Sequence, residues 1–268
     1  MTPLAGSADR LSVRPGESFR FHVATDRAGP VTAEVVRVIC ADANPAGPGI
    51  REVAAEVAVR AVAKPAPQRV PLGSYGEFPS SPAIAGLKSF TLVVTMWAGG
   101  LEGSPGCIMA LGDLGRSAHR ILLATVGGVG GGIRLLASVG LGAAMPAEIE
   151  SGPIVPERWY TVVLTHDADA RTMTLSCVPL QDVTAPKPAT VTLVQAIDLG
   201  GKGDIRIAGG LPGGVAGTPT GCFYGRIERP MIFAEALKPE AFDKLQPGQS
   251  RALVAAWDTA RDIETSRL

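Results

Sequence analysis

The chain has 268 residues, with 25 Lys+Arg against 25 Asp+Glu and a formal net charge of zero. That balance argues against a nucleic-acid binder or a membrane-surface protein, both of which are held by clustered basic charge. Hydrophobic residues at 46% suffice for a core and exclude a disordered chain, while 33 glycines and 22 prolines leave little room for long helices.

Taken in chain order, LSVRPGESFRFHVAT reads as strand, turn, strand, with apolar Phe19, Phe21 and Val23 alternating beyond a Pro15-Gly16 turn. VTAEVVRVICAD follows as a strand, then the rigid loop ANPAGPGI and another alternating run, REVAAEVAVRAV. The Pro-rich AKPAPQRVPLGS is the first candidate boundary. From Phe90 a second series of strands begins with TLVVTMW, CIMALGD, HRILLATV and IRLLASVGL. WYTVVLTHDADARTMTLSCV is the clearest hairpin, because Asp167 and Asp169 can bond their own backbone in the turn. VTLVQAIDL, GDIRIAGG and GCFYGRIERPMIF complete a set spaced as in a sandwich. Only LKPEAFDKL reads as a short helix, and ALVAAWDTARDIETSRL as a helix or a linker.

The N-terminal segment lacks an apolar run between a basic start and a cleavage site, which predicts no secretory signal. The most apolar region, Ile121 to Ala147, is split by Arg134 into halves too short to span a membrane. Cys40, Cys107, Cys177 and Cys222 are scattered through apolar stretches and read as buried thiols rather than zinc ligands. A cytoplasmic protein is expected.

Chemistry that stands alone is hard to find. His22, His119 and His166 fall in or beside strands, and no G-x-S-x-G elbow marks a nucleophile. Glu148 and Glu150 sit close together but in what reads as a turn, not along a glucanase-like strand. Asp167 and Asp169 offer the beginnings of a calcium shell, although an Asp-x-Asp turn needs no metal. The glycine runs at 127–132 and 200–203 lack phosphate-binding register and read as turns. Phe90, Trp97, Trp159, Phe223, Tyr224 and Phe233 fall inside strand patterns, so core packing is their default, with Trp257 the exception.

Two resemblances add to this reading. WYTVVLTHD, its hairpin, TMTLSCV and the closing GCFYGRIERPMIFAEALKPEAF resemble a laminin-G or concanavalin-A-like jelly roll. That implies an all-β chain: a strand-rich segment over residues 1–78, a jelly-roll sandwich over 79–248 and a tail or linker over 249–268. Such a fold says little of function. LSVRPGESFRFHV, VVRVICADANPAGPGIREV and QRVPLGSYGEF are similar to the start of the large (beta) subunit of N,N-dimethylformamidase, where the same segment precedes a lectin-like jelly roll. The matching residues are Arg37, Asp42, Asn44, Pro45, Gly47, Pro48, Gly49, Gly73, Ser74 and Tyr75; Asp42, Asn44 and Arg51 are the ones expected to contact a neighbouring domain or subunit.

In that family tyrosine and glutamate side chains hold a mononuclear iron in a catalytic part beyond the jelly roll. The resemblance therefore implies no catalytic residue, cofactor or metal ligand in this chain, which stops about where that part would begin. The expected function is a non-catalytic scaffold of a dimethylformamidase-like amide hydrolase, partnered by its catalytic domain or subunit. Whether the chain is a truncated or split form, or a free-standing protein, stays open, as does whether it hydrolyses amides by itself. The alternative is a free-standing lectin-like module for a glycan or protein ligand.

Overall fold

The computed structural model of the chain describes residues 4–25, 34–57, 74–99, 105–127, 132–209, 221–238 and 252–258. Met1–Pro71 and Leu72–Leu268 form two units.

In the first unit β1 (Leu4–Ala8) pairs antiparallel with β2 (Phe21–Thr25), and β3 (Val36–Ala41) with β4 (Ile50–Ala54). The Pro15-Gly16 turn is present, closed by the Glu17 N–H donating to the Arg14 carbonyl at 3.0 Å. It sits inside a longer connection between the paired strands rather than directly at their ends. Asp9 ends the ladder by donating its N–H to the Arg20 carbonyl and accepting the Arg20 N–H on its carboxylate, so the expected Leu11–Val13 strand lies in the connection instead. β3 and β4 flank the Pro/Gly loop, with a bulge between Val38 and Cys40. Val36, Val38, Ile39, Ile50 and Val53 are exposed on this pair, so apolar alternation here marks no buried face.

The second unit contains β5 (Gly76–Phe78), the short helix α1 (Pro82–Ala85), β6 (Phe90–Ala98), β7 (Gly106–Gly112), β8 (Arg120–Gly127), β9 (Ile133–Leu141) and β10 (Ala144–Glu150). It continues with β11 (Trp159–Asp167), β12 (Thr172–Pro179), β13 (Ala189–Thr192), β14 (Asp204–Ile207), β15 (Gly225–Phe233) and β16 (Leu253–Ala256). One sheet has the order β10-β9-β8-β7-β14-β5 and the other β13-β12-β11-β6-β15-β16. All their pairings are antiparallel, and the chain passes repeatedly between sheets, as in the jelly roll expected. Alternating residues of both sheets meet in one core: Leu92, Met96, Val162 and Leu164 from one side, Met109, Leu111, Leu123 and Leu135 from the other.

Two expected boundaries move. Residues 76–78 are a strand of the sandwich, paired with β14, so the second unit starts before residue 79. The C-terminal tail contains β16, which pairs with β15 as an edge strand, because Val254 and Ala255 pack on the main core. The helix read in LKPEAFDKL lies from Pro239 onward outside the described residues.

His166 is fully buried at the end of β11, not in the turn, with its ring tilted against Phe90. Its Nδ1 lies 3.0 Å from the Thr172 carbonyl, so a neutral ring with the proton on Nδ1 donates there and leaves Nε2 without a partner. Burial pushes its pKa below the ordinary value, against the opposing pull of the Thr172 carbonyl and Asp167. The unfolded chain then binds the extra proton more readily. The stabilising effect is complete above the unfolded value of about 6.5 and is lost as pH falls from there through the depressed native pKa. Denaturant unfolding at stepped pH should show stability falling below about 6.5. His166→Asn, which retains a donor for Thr172 but cannot titrate, should flatten that slope.

Candidate functional site

The second unit carries an open cleft of about 750 Å³ on the side where β5 and β14 of one sheet approach β15 and β16 of the other. Phe78, Ile207, Ala208, Phe223 and Trp257 form an apolar wall, and Ser74, Tyr75, Trp97, Tyr224 and Arg226 complete the lining together with the backbone of β15. Trp257 is docked on the sandwich, its ring 4.8 Å from Phe78. Tyr224 is 69% exposed and lies before β15 rather than in it, and Tyr75 is 42% exposed. Trp97 and Phe223 are only partly buried, whereas Phe90 and Phe233 are core residues. The expectation that all these aromatics serve the core therefore fails at the cleft, where the core runs out at the ends of β6 and β15.

Two arginines stand over aromatic rings here. Arg226, directly across from Trp97 in the β6–β15 register, holds its guanidinium 5.1 Å from the indole centroid. Arg206 lies 6.0 Å from the Tyr75 ring and is paired with Glu77 at 3.1 Å. Arg226 makes no ion pair with a described carboxylate.

The residues singled out from the sequence separate into two groups. Arg37 is exposed on β3 opposite Val53, and Arg51 is exposed on β4 opposite Cys40. Between them the Asp42 carboxylate accepts the Asn44 N–H at 2.9 Å, the Asn44 side chain accepts the Ala46 N–H at 3.0 Å, and the Gly47 N–H donates to the Asn44 carbonyl at 2.9 Å. Pro45 and Pro48 hold the bend, Gly47 lies so close to the Asp42 carboxylate that a side chain would strike it, and Gly49 has φ +78°. Asp42 and Asn44 are thus engaged in building their own loop. Gly73 lies outside the described residues. Ser74 and Tyr75 line the cleft of the second unit.

Chemical groups elsewhere are tied into structure. Burial raises the Cys107 and Cys177 thiols to about 12, far from a reactive thiolate. Glu148 and Glu150 lie on β10, not in a turn, since that stretch pairs with β9; they accept from Ser138 at 3.2 Å and Arg134 at 3.3 Å. Lys202 of the 200–203 turn sits 3.3 Å from Asp113, whose carboxylate also takes the Gly115 N–H. Burial works against ionisation of Asp113, but these two partners and Arg116 outweigh it and lower its pKa. The Asp167 carboxylate caps its hairpin turn by accepting the Asp169 and Ala170 N–H groups at 3.0 Å. Residues 128–131 of the other glycine run lie outside the described set. Among the described residues no group of three His, Cys, Asp or Glu converges as metal ligands. A tyrosine-glutamate iron site does not fit the cleft either, since no carboxylate among the described residues lines it. No helix among the described residues is long and apolar enough to cross a membrane.

Comparison with known proteins places these features in context. No family model matches the chain. It is 29% identical over 279 residues to the N,N-dimethylformamidase beta subunit of Paracoccus aminophilus, covering 97% of this chain and 36% of that protein. The corresponding subunit of an Alcaligenes species is 26% identical over 287 residues, with the same coverage. The chain thus spans about a third of the length of these curated relatives, and the resemblance read from the sequence holds along nearly all of it. Among solved structures, the CBM40 of Ruminococcus gnavus IT-sialidase, bound to alpha2,3 sialyllactose, superposes with a TM-score of 0.45 and 16% identity over 59% of this chain and 81% of its own.

Gly225 sets how closely β15 can approach β6. A β-carbon there would strike the Trp97 carbonyl oxygen and crowd the Phe223 ring. Gly225→Ala should cost about 1–3 kcal/mol in urea unfolding, the usual range for overpacking. An unchanged midpoint would show that the two strands do not run this close.

Proposed function

We propose that this chain is a non-catalytic assembly module of an N,N-dimethylformamidase-like amide hydrolase, and that the cleft of its second unit is the docking surface. The observation that carries this reading is the composition of the cleft. Among the described residues its lining has aromatic rings, an arginine without an acidic partner and backbone that no strand pairs, and no carboxylate, imidazole or thiol. Such a lining suits binding. Likeness to dimethylformamidase beta subunits across both units, over a third of their length, supports the identity of the assembly. The exposed apolar side chains on β3 and β4, with the rigid 42–51 loop and Arg51 between and beside them, support a further contact area in the first unit. Iron and amide hydrolysis belong, in this reading, to the remaining two thirds of the beta subunit.

A lectin-like role is the second reading, favoured by the exposure of Tyr224 beside Trp97, since flat rings stack on apolar sugar faces. A direct comparison separates the two. The purified chain should fold, carry no stoichiometric iron and leave dimethylformamide unhydrolysed. It should co-elute with a polypeptide comprising the rest of the Paracoccus aminophilus beta subunit and give a blank glycan array. Iron at one per chain with amide turnover that chelation abolishes would overturn the assembly reading. Saturable glycan binding lost in Tyr224→Ala would establish the lectin.

A further inference from the structure

We infer that the cleft receives its partner as an added β-strand: an extended peptide segment, bearing an aspartate or glutamate beside apolar residues, that pairs with the edge of β15 left without a partner strand among the described residues. The inference rests on the docking reading above and specifies what docks there and how.

The backbone determines which groups are available. The Gly99 N–H donates to the Tyr224 carbonyl at 3.0 Å, in the same register that places Gly225 opposite Ala98 and Arg226 opposite Trp97. Hydrogen-bonded and non-bonded pairs alternate along an antiparallel ladder, so Arg226 and Glu228 bond to β6 while the N–H and C=O groups of Gly225 and Ile227 point away from it. The Ala98 carbonyl agrees with this, because it turns from β15 and accepts the Glu157 N–H at 2.7 Å.

On the far side of β15, β16 covers only Met231 to Phe233, and the last rung is the Trp257 N–H donating to the Pro230 carbonyl at 3.0 Å. Between these regions lies a bulge, where the register slips between Glu228 and Met231 and Arg229 takes φ +49°. Bulges of this kind end pairing and turn a strand at functional edges. Among the described residues no strand pairs with Gly225–Glu228 on that side. At about 3.4 Å per residue, the open stretch fits four or five residues of extended peptide.

The surroundings define the side chains. An added strand projects alternate residues to opposite faces. One face meets the apolar wall of Phe78, Ile207, Phe223 and Trp257, and the other meets Trp97, Tyr224 and Arg226. Stacking on Trp97 orients the Arg226 fork, and the absence of a described carboxylate partner leaves that fork free for an incoming one. Arg206, already paired with Glu77, does not compete. An edge without a partner strand beside apolar surface is a hazard that sandwiches usually suppress.

The test uses the ¹⁵N-labelled full chain titrated with overlapping 12-residue peptides covering the Paracoccus aminophilus beta subunit. At least one acidic peptide should bind, slowing exchange of the Gly225 and Ile227 amides while leaving Arg226 and Glu228 unchanged. Amidating its acidic residue, or making the surface substitution Arg226→Gln, should weaken binding roughly tenfold. The inference is overturned if no peptide binds, if binding is indifferent to Arg226→Gln, or if the Gly225 and Ile227 amides stay unprotected. It is equally overturned if those amides are already protected in the free chain, by its own residues when monomeric or by a second copy when protection rises with concentration. Co-elution with the intact remainder of the relative, without peptide binding or edge protection, would sink strand addition and leave the assembly reading standing.

Discussion

The second unit rests on one requirement, that β6 be enclosed on every side. Its edges are filled by β11 and β15, and its inward residues Phe90, Leu92, Val94, Met96 and Ala98 enter the intersheet core. Its other face is covered too: Val93 joins Val163, Met231 and Phe233, and Thr91 accepts the Leu237 N–H while donating to the Glu235 carbonyl. A strand buried on both faces cannot slip register by one residue without exposing apolar groups and burying polar ones. The position of β15 follows from this, and so does the placement of Arg226 over Trp97.

The cleft arises where that enclosure ends. The two sheets are bounded on this side by short partners, β5 with three residues and β16 with four. Short edge strands limit unwanted pairing, but here they also leave part of the longer β15 without a partner among the described residues. Aromatic rings fill part of the gap and remain partly in water. The result is an apolar surface with one oriented positive charge, made from side chains that would be core residues a few positions further along their strands.

Much of this architecture is legible in the chain itself. Strands rich in Val, Ile and Leu, the Asp-x-Asp hairpin and the abundant turn residues point to an all-β sandwich. Ser74 and Tyr75 come from similarity alone and do lie in the cleft. The rest of the site could not be read the same way, for a physical reason. Trp97 and Tyr224 look like core aromatics because strand periodicity records which face a residue takes, not whether the opposite sheet extends far enough to cover it. The signal that was present is local: Phe223-Tyr224-Gly225-Arg226 sets a glycine and a charge inside an otherwise apolar run, as expected where backbone approaches closely and burial stops. β16 was missed because four small and aliphatic residues fit a helix, a linker or an edge strand equally well; only its partner decides.

The pairing order has a consequence for how the protein is made. β6 needs β15 as a neighbour, some 130 residues later, and β5 needs β14 at a similar separation. During synthesis the hairpins β7–β8–β9–β10 and β11–β12 can form as they emerge, but neither sheet can be completed until β14 to β16 have been delivered. Until then the central strand carries one bare edge and apolar groups on both faces, so the nascent chain passes through a prolonged aggregation-prone stage, and non-local closure rather than hairpin formation sets the pace of folding.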